Sequence, residues 1–264
     1  MSAVLGDLVD GVLLDIDDTL VDTHASFAAG MGAVAEHYLP HLHEHGPRRA
    51  LDHWFEDRGG YYDRYAAGEL GFLQQRRLRA DALLSDLGGT SLDDESFLEW
   101  NAVYERAFTA SWVAMPGAVE LVDALNAANV PLGAVTNHES AYQREKLIRC
   151  GLGGLPVLVG VDTLHLAKPD ARVFQHACEL AGLAPGRTVY VGNDLQVDAI
   201  GARDAGLHAV WLDRGLDHRG RAGVTPATSR AFAAGVRTAR SLAEVARWLG
   251  LAGVADLGEG TTGR

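Results

Sequence analysis

One stretch, Val12-Leu13-Leu14-Asp15-Ile16-Asp17-Asp18-Thr19-Leu20, constrains this chain more than any other. An apolar run that reads as a buried strand breaks into three carboxylates, Asp15, Asp17 and Asp18. Acids side by side at the margin of a core repel one another and lose hydration, unless a cation or a shared proton offsets the cost. Open parallel sheets build their sites at the C-terminal ends of strands, which is where this pattern puts the acids. Asp and Thr also favour turns and helix caps, so a plain acidic turn is the other reading of the nonapeptide.

The remainder of the chain supplies a sheet for that strand. Short apolar runs at 130–136, 157–161, 188–192 and 208–212 alternate with helical patterns at 116–128, 140–150, 171–181 and 198–205, and a last helix is expected at 241–249. Such alternation predicts an α/β fold with a doubly wound, Rossmann-like parallel sheet covered on both faces. The strand at 11–16 has no partner of its own and is expected in the same sheet. Between it and the others, a helix is predicted at 23–38, then a Pro- and Gly-bounded connection, then helical periodicity from 50 to 113 broken at Gly59-Gly60, Gly68 and Gly88-Gly89. The expected organisation is therefore a core of residues 1–22 and 114–255, an α-helical insertion at 23–113 and a frayed tail at 256–264.

Charge and composition narrow the partners. Lys+Arg 23 against Asp+Glu 35 gives a net charge of −12, which disfavours nucleic acid and anionic membranes. A phosphate ligand would need a local cation, and the only lysines are Lys146 and Lys168. Cys150 and Cys178 form no CxxC pair and read as buried thiols in a reducing compartment. No apolar run approaches the roughly 18 residues of a membrane span, and no basic-then-apolar leader is visible, so the expectation is a cytoplasmic protein. His41, His43 and His45 alternate in the Pro- and Gly-bounded connection, where a solvated loop is favoured over a metal tract.

Four features fall at strand ends: Asp15 with Asp17; Thr136-Asn137; Lys168 in Ala167-Lys168-Pro169-Asp170; and Gly192-Asn193-Asp194 with Asp198. Singly, Thr136 is a strand end, Lys168 a solvated lysine and Asp198 a helix cap. Together they make a cation site beside an oxyanion site, and a hard divalent ion with oxygen ligands, most simply Mg2+, resolves the repulsion.

With these motifs in order, the chain resembles haloacid dehalogenase (HAD) superfamily hydrolases of the phosphatase kind, with a helical cap inserted between the first and second motifs. The resemblance implies a Mg2+-dependent phosphatase that hydrolyses a small phosphorylated metabolite through an aspartyl-phosphate. Asp15 would be the nucleophile, and Asp17 the acid for the leaving alcohol and then the base for water. Thr136 would bind phosphoryl oxygen with Asn137 nearby, and Lys168 would neutralise charge. The metal would be held by Asp15, the backbone carbonyl of Asp17 and Asp194, with Asp198 in the outer shell. Many relatives have Gly-Asp where this chain has Gly192-Asn193, which removes one anionic ligand.

Asp17 argues against a dehalogenase, where no alkoxide needs a proton. The absence of lysine between Val21 and Val113 argues against a phosphonatase using a cap Schiff base. A phosphomutase shares the same intermediate and stays open, while a non-catalytic binding protein is disfavoured because every chemical residue is present. His138 and Arg58 are candidate substrate contacts. The aromatics Trp54, Phe55, Tyr61, Tyr62 and Tyr65 with Arg64, Arg76 and Arg77 read chiefly as cap core and solvated face. A monomer or homodimer is expected.

Overall fold

Four consecutive buried residues, Gly11–Leu14, form β1, the strand that places the acidic stretch. The structure is a computed structural model and describes residue 6 and residues 8–215 and 235–251. Beyond β1 the chain runs through α1 (Thr23–Tyr38), α2 (Gly46–Glu56), α3 (Tyr61–Ala66), α4 (Phe72–Leu87) and α5 (Asp94–Ala110). It then alternates: α6 (Ala118–Ala127), β2 (Leu132–Val135), α7 (Ser140–Arg149), β3 (Val157–Val159), α8 (Val161–Leu164), α9 (Ala171–Ala181) and β4 (Thr188–Gly192). A π-helical turn at Leu195–Ile200 leads into α10 (Gly201–Asp204), β5 (His208–Leu212), β6 (Arg237–Ala239) and α11 (Leu242–Trp248). The strands form one sheet in the order β3-β2-β1-β4-β5-β6. Every pairing is parallel.

β1 lies inside the sheet, paired with β2 on one side and β4 on the other. Its side chains alternate between faces. Leu13 joins a core with Val135, Phe174, Ala177, Cys178 and Tyr190, which covers the face under α9. Val12 and Leu14, equally buried, point to the opposite face. Cys150 and Cys178 are both buried free thiols, as their spacing in the sequence suggested.

The chain divides into two compact units, residues 23–112 and the remainder. In the helical unit α1 packs on α2 and α5. Its core is aromatic: Trp100 stacks on Tyr104 at 5.6 Å, and Trp54 lies 5.9 Å from each. The connection carrying His41, His43 and His45 is a 3-10 turn, Pro40–His45, in which His41 Nε2 is 2.9 Å from the Leu87 carbonyl.

Two local expectations change. A sixth strand, β6, extends the edge beyond β5; Arg-Thr-Ala carries no apolar run that would mark it. Asp198 does not cap a helix. Asp194 does, its Oδ1 accepting from Gln196 N and Val197 N at 2.8 Å each, and the π turn carries Asp198 inward. The tail at 256–264 lies outside the described residues.

Candidate active site

The end of β1 continues its ladder for one more residue, with Asp15 N donating to Val191 O at 2.9 Å, and then turns. The carbonyl of Ile16 accepts from Leu20 N and Val21 N at 2.9 and 3.0 Å, closing the turn. Asp18, with φ of 57°, takes the left-handed conformation there, one that Asp tolerates better than most residues. Arg214, just after β5, donates to the carbonyls of Asp18 and Thr19 at 2.6 and 3.2 Å and ties the loop from outside.

Three segments then converge: the end of β1, the loop before α9, and β4 with the π turn that follows it. Lys168 Nζ donates to Asp15 Oδ1 at 2.6 Å, to Asp198 Oδ1 at 2.7 Å and to Tyr190 Oη at 3.0 Å, which uses all three of its N–H groups. All four side chains are buried. Burial pushes Asp15 up to about 7, the Asp198 charge adds to this, and Lys168 opposes it. Burial pulls Lys168 down, but the Asp15 and Asp198 charges outweigh it and hold it well above the usual lysine range. Tyr190 is raised well above the usual phenol range by burial and then by the Asp198 charge, so it stays a neutral hydroxyl.

Asp17 faces a different environment. Its Oδ1 accepts from Lys146 Nζ at 2.6 Å and its Oδ2 from Gln143 Nε2, also at 2.6 Å. Gln143 Nε2 further donates to Thr136 Oγ1 at 3.0 Å, so the hydroxyl proton of Thr136 remains available for another acceptor. Asp17 keeps 35 % of its side chain exposed, whereas Asp15 keeps 7 %.

Asn137 lies beside this group but faces Lys168: it donates to Lys168 O at 3.0 Å and accepts from Lys168 N at 2.7 Å. The amide that the sequence marked as a phosphate contact thus fixes the lysine's main chain. His138 turns its Nδ1 to Glu139 N at 2.8 Å and stacks on Tyr142 at 4.6 Å. Within the helical unit, the arginines pair with acids: Arg58 with Glu56, Arg64 with Glu69, Arg77 with Asp94, and buried Arg76 with Glu105 and Asn101.

Of the groups marked as metal ligands, Asp15 Oδ2 and the main-chain oxygen of Asp17 lie together beside Asn193, whereas the carboxylates of Asp194 and Asp198 are taken by other partners. Asp194 caps its own turn, and Asp198 accepts from Lys168 through Oδ1 and from Asp194 N through Oδ2 at 3.0 Å. Among the described residues no group of three His, Cys, Asp or Glu side chains is placed to hold a metal ion. Asn193 reaches in instead. With its amide nitrogen inward it donates to Asp15 Oδ2 at 3.3 Å and to the main-chain oxygen of Asp17 at 3.1 Å. With its oxygen inward it accepts from Thr19 Oγ1 at 3.3 Å and stands with those two oxygens, a set that repels itself unless a cation sits among them. Carboxylate, main-chain carbonyl and amide oxygens are the donors a hard divalent ion takes, so the residues fit magnesium.

A buried carboxylate–lysine pair lies beside a second, more open carboxylate at the end of β1 in a doubly wound parallel sheet, the place where α/β enzymes build their sites. The model of the haloacid dehalogenase-like hydrolases matches residues 9–206, and the chain belongs to that family. It is 43% identical over 86 residues to a phosphoserine phosphatase of Thermus thermophilus; the match covers 32% of this chain and about a third, 34%, of that relative's length. A glyceraldehyde 3-phosphate phosphatase of Methanothermobacter thermautotrophicus is 28% identical over 79% of this chain and 88% of its own. Among solved structures, the HAD-hydrolase YfnB from Bacillus subtilis, bound to magnesium, superposes with a TM-score of 0.69 at 20% identity, covering 92% of this chain and 99% of that one, and so shares the fold.

Lys146, Gln143, Tyr190 and Arg214 escaped the sequence motifs. The one signal available was the scarcity of lysine: the only two in the chain end 2.6 Å from the two acids Asp15 and Asp17.

Proposed function

We propose that the protein is a magnesium-dependent phosphomonoester hydrolase working through an aspartyl-phosphate. The observation that carries this reading is the buried contact of Lys168 Nζ with Asp15 Oδ1 at 2.6 Å, because it places a cation against the one acid that ends the central strand. A carboxylate oxygen of Asp15 attacks phosphorus and the bond to the leaving oxygen breaks. Asp17, two residues on and partly exposed, delivers a proton to that oxygen, and the alcohol departs. Asp17 then takes a proton from water as the water attacks phosphorus. The bond from phosphorus to Asp15 breaks, and phosphate leaves with Asp15 restored.

Thr136, whose hydroxyl proton is not used by Gln143, donates to a phosphoryl oxygen. Lys168 and Thr136 offset the charge on that group, which is the main demand of phosphoryl transfer. Asp15, the main-chain oxygen of Asp17 and the amide oxygen of Asn193 would hold Mg2+, the third place falling to Asn193 and not to Asp194. When bound, the ion neutralises phosphoryl charge and keeps Asp15 ionised.

The substrate is read as a small phosphorylated metabolite, supported by relatives named for phosphoserine and glyceraldehyde 3-phosphate. The helical insertion at 23–113 is read as a cap domain, since the chain enters it from the acidic turn after β1 and returns from it to the α/β unit at α6. A cytoplasmic setting agrees with two buried free thiols.

With Mg2+, the purified protein is expected to release phosphate from p-nitrophenyl phosphate, and Asp15→Asn to abolish release with an unchanged circular dichroism spectrum. Turnover that survives Asp15→Asn, or a chelator, overturns the mechanism. A phosphate-release panel of sugar phosphates, nucleoside monophosphates and phosphoglycolate then ranks substrates, and label passed to a sugar without free phosphate would identify a mutase.

A further inference from the structure

Lys146 is a lysine with 2 % of its surface exposed, and Gln143 is wholly buried. Burying an ammonium is costly unless it is paired, and surface positions for lysine are plentiful. Both residues stand on α7, three positions apart and hence on one helical face. Both point to one acceptor group: Lys146 Nζ and Gln143 Nε2 each lie 2.6 Å from a different oxygen of Asp17. A carboxylate gripped at both oxygens cannot rotate about its terminal bond without losing one donor. Gln143 also reaches Thr136 Oγ1 at 3.0 Å, so one amide joins the proton carrier to the hydroxyl that faces phosphate.

The geometry points to Lys146 and Gln143 as positioning residues for the proton-transfer step: they fix the direction of the Asp17 carboxylate relative to Thr136, and with it the path of the proton to the leaving oxygen. Neither touches the reacting atoms. The assignment rests on Asp17 being the proton carrier of the proposed hydrolysis. It differs from a merely structural ion pair in what its loss does: in kcat/KM, which reports the steps up to departure of the alcohol, a misdirected acid penalises leaving groups that need a proton, whereas the water step is common to all substrates and shows in kcat.

The test compares two substrates on the intact chain with Mg2+. p-Nitrophenolate departs without protonation; the alkoxide of glycerol 2-phosphate does not. Lys146→Met, which keeps length and removes charge, is expected to lower kcat/KM for the alkyl ester by about 10- to 100-fold more than for the aryl ester. Asp17→Asn is expected to show the same selectivity, and the double variant Asp17→Asn with Lys146→Met to lose nothing further on the alkyl ester. Gln143→Met is expected to reproduce the selectivity more weakly, and it carries the test if Lys146→Met does not fold. Equal losses on both substrates, or losses that multiply in the double variant, overturn the assignment. Asp15→Asn measured alongside separates the failures. If that variant is inactive while the alkyl and aryl losses are equal, only the positioning role falls; if it stays active, the hydrolytic reading falls first.

Discussion

Lys168 binds two buried carboxylates and a phenol, so its charge is shared between Asp15 and Asp198. Removing one partner of a buried ionic group leaves the others uncompensated, which costs about 3–5 kcal/mol. Lys168→Met is therefore expected to lower the urea midpoint sharply. Adding Asp198→Asn removes one of the stranded charges, so the double variant is expected to be more stable than the sum of the single changes allows, as a double-mutant cycle would read. A strictly additive cycle would mean that Lys168 and Asp198 do not interact as their 2.7 Å separation requires.

At the level of elements, the π turn after β4 performs the delicate placement. Gly192 ends β4, and a Cβ added there would come within 2.4 Å of Asp198 Cγ and 2.5 Å of Asp198 Cβ. Gly192→Ala is expected to displace Asp198 from Lys168, at an overpacking cost of about 1–3 kcal/mol, and to reduce phosphate release together with melting temperature. Unchanged activity in that variant would show that the turn yields without moving the acid. The first strand, α1, α9, β4 and β5 follow directly from periodicity and from Gly and Pro punctuation. β6 and the π turn do not: a three-residue edge strand has no period to detect, and a widened turn depends on Asp198 being drawn to Lys168.

Across the whole molecule the cluster couples pH, metal and stability. Burial, and then the Asp198 charge, push Asp15 up to about 7 from an ordinary value of 3.8. The native state then binds more protons than the unfolded state across that window. Its contribution is present below about pH 4 and is lost as pH rises through about 7. Mg2+ favours the ionised form and opposes that loss. The gain in melting temperature on adding Mg2+ is expected to be larger near pH 8 than near pH 5, read by thermal denaturation with and without chelator. A gain independent of pH would place the ion away from Asp15.

Which side chains the sheet gathers was largely legible in the linear order, because parallel strands deliver side chains at their ends, and strand ends are visible where apolar runs stop. Asp15 and Asp17 after β1 and Thr136 after β2 follow in this way, while Lys168 and Asp198 reach them from the segments after α8 and β4. Which of them touch was not legible. Asn137 turned to the main chain of Lys168, Asp194 to its own helical turn, and Asn193 to Asp15 and Asp17, while Lys146 arrived from a helix that no motif marks. Spacing along the chain fixes which end of the sheet a side chain reaches; its partner is settled by competition among neighbouring donors and acceptors at distances of about 3 Å, which exist only after the strands and helices have packed.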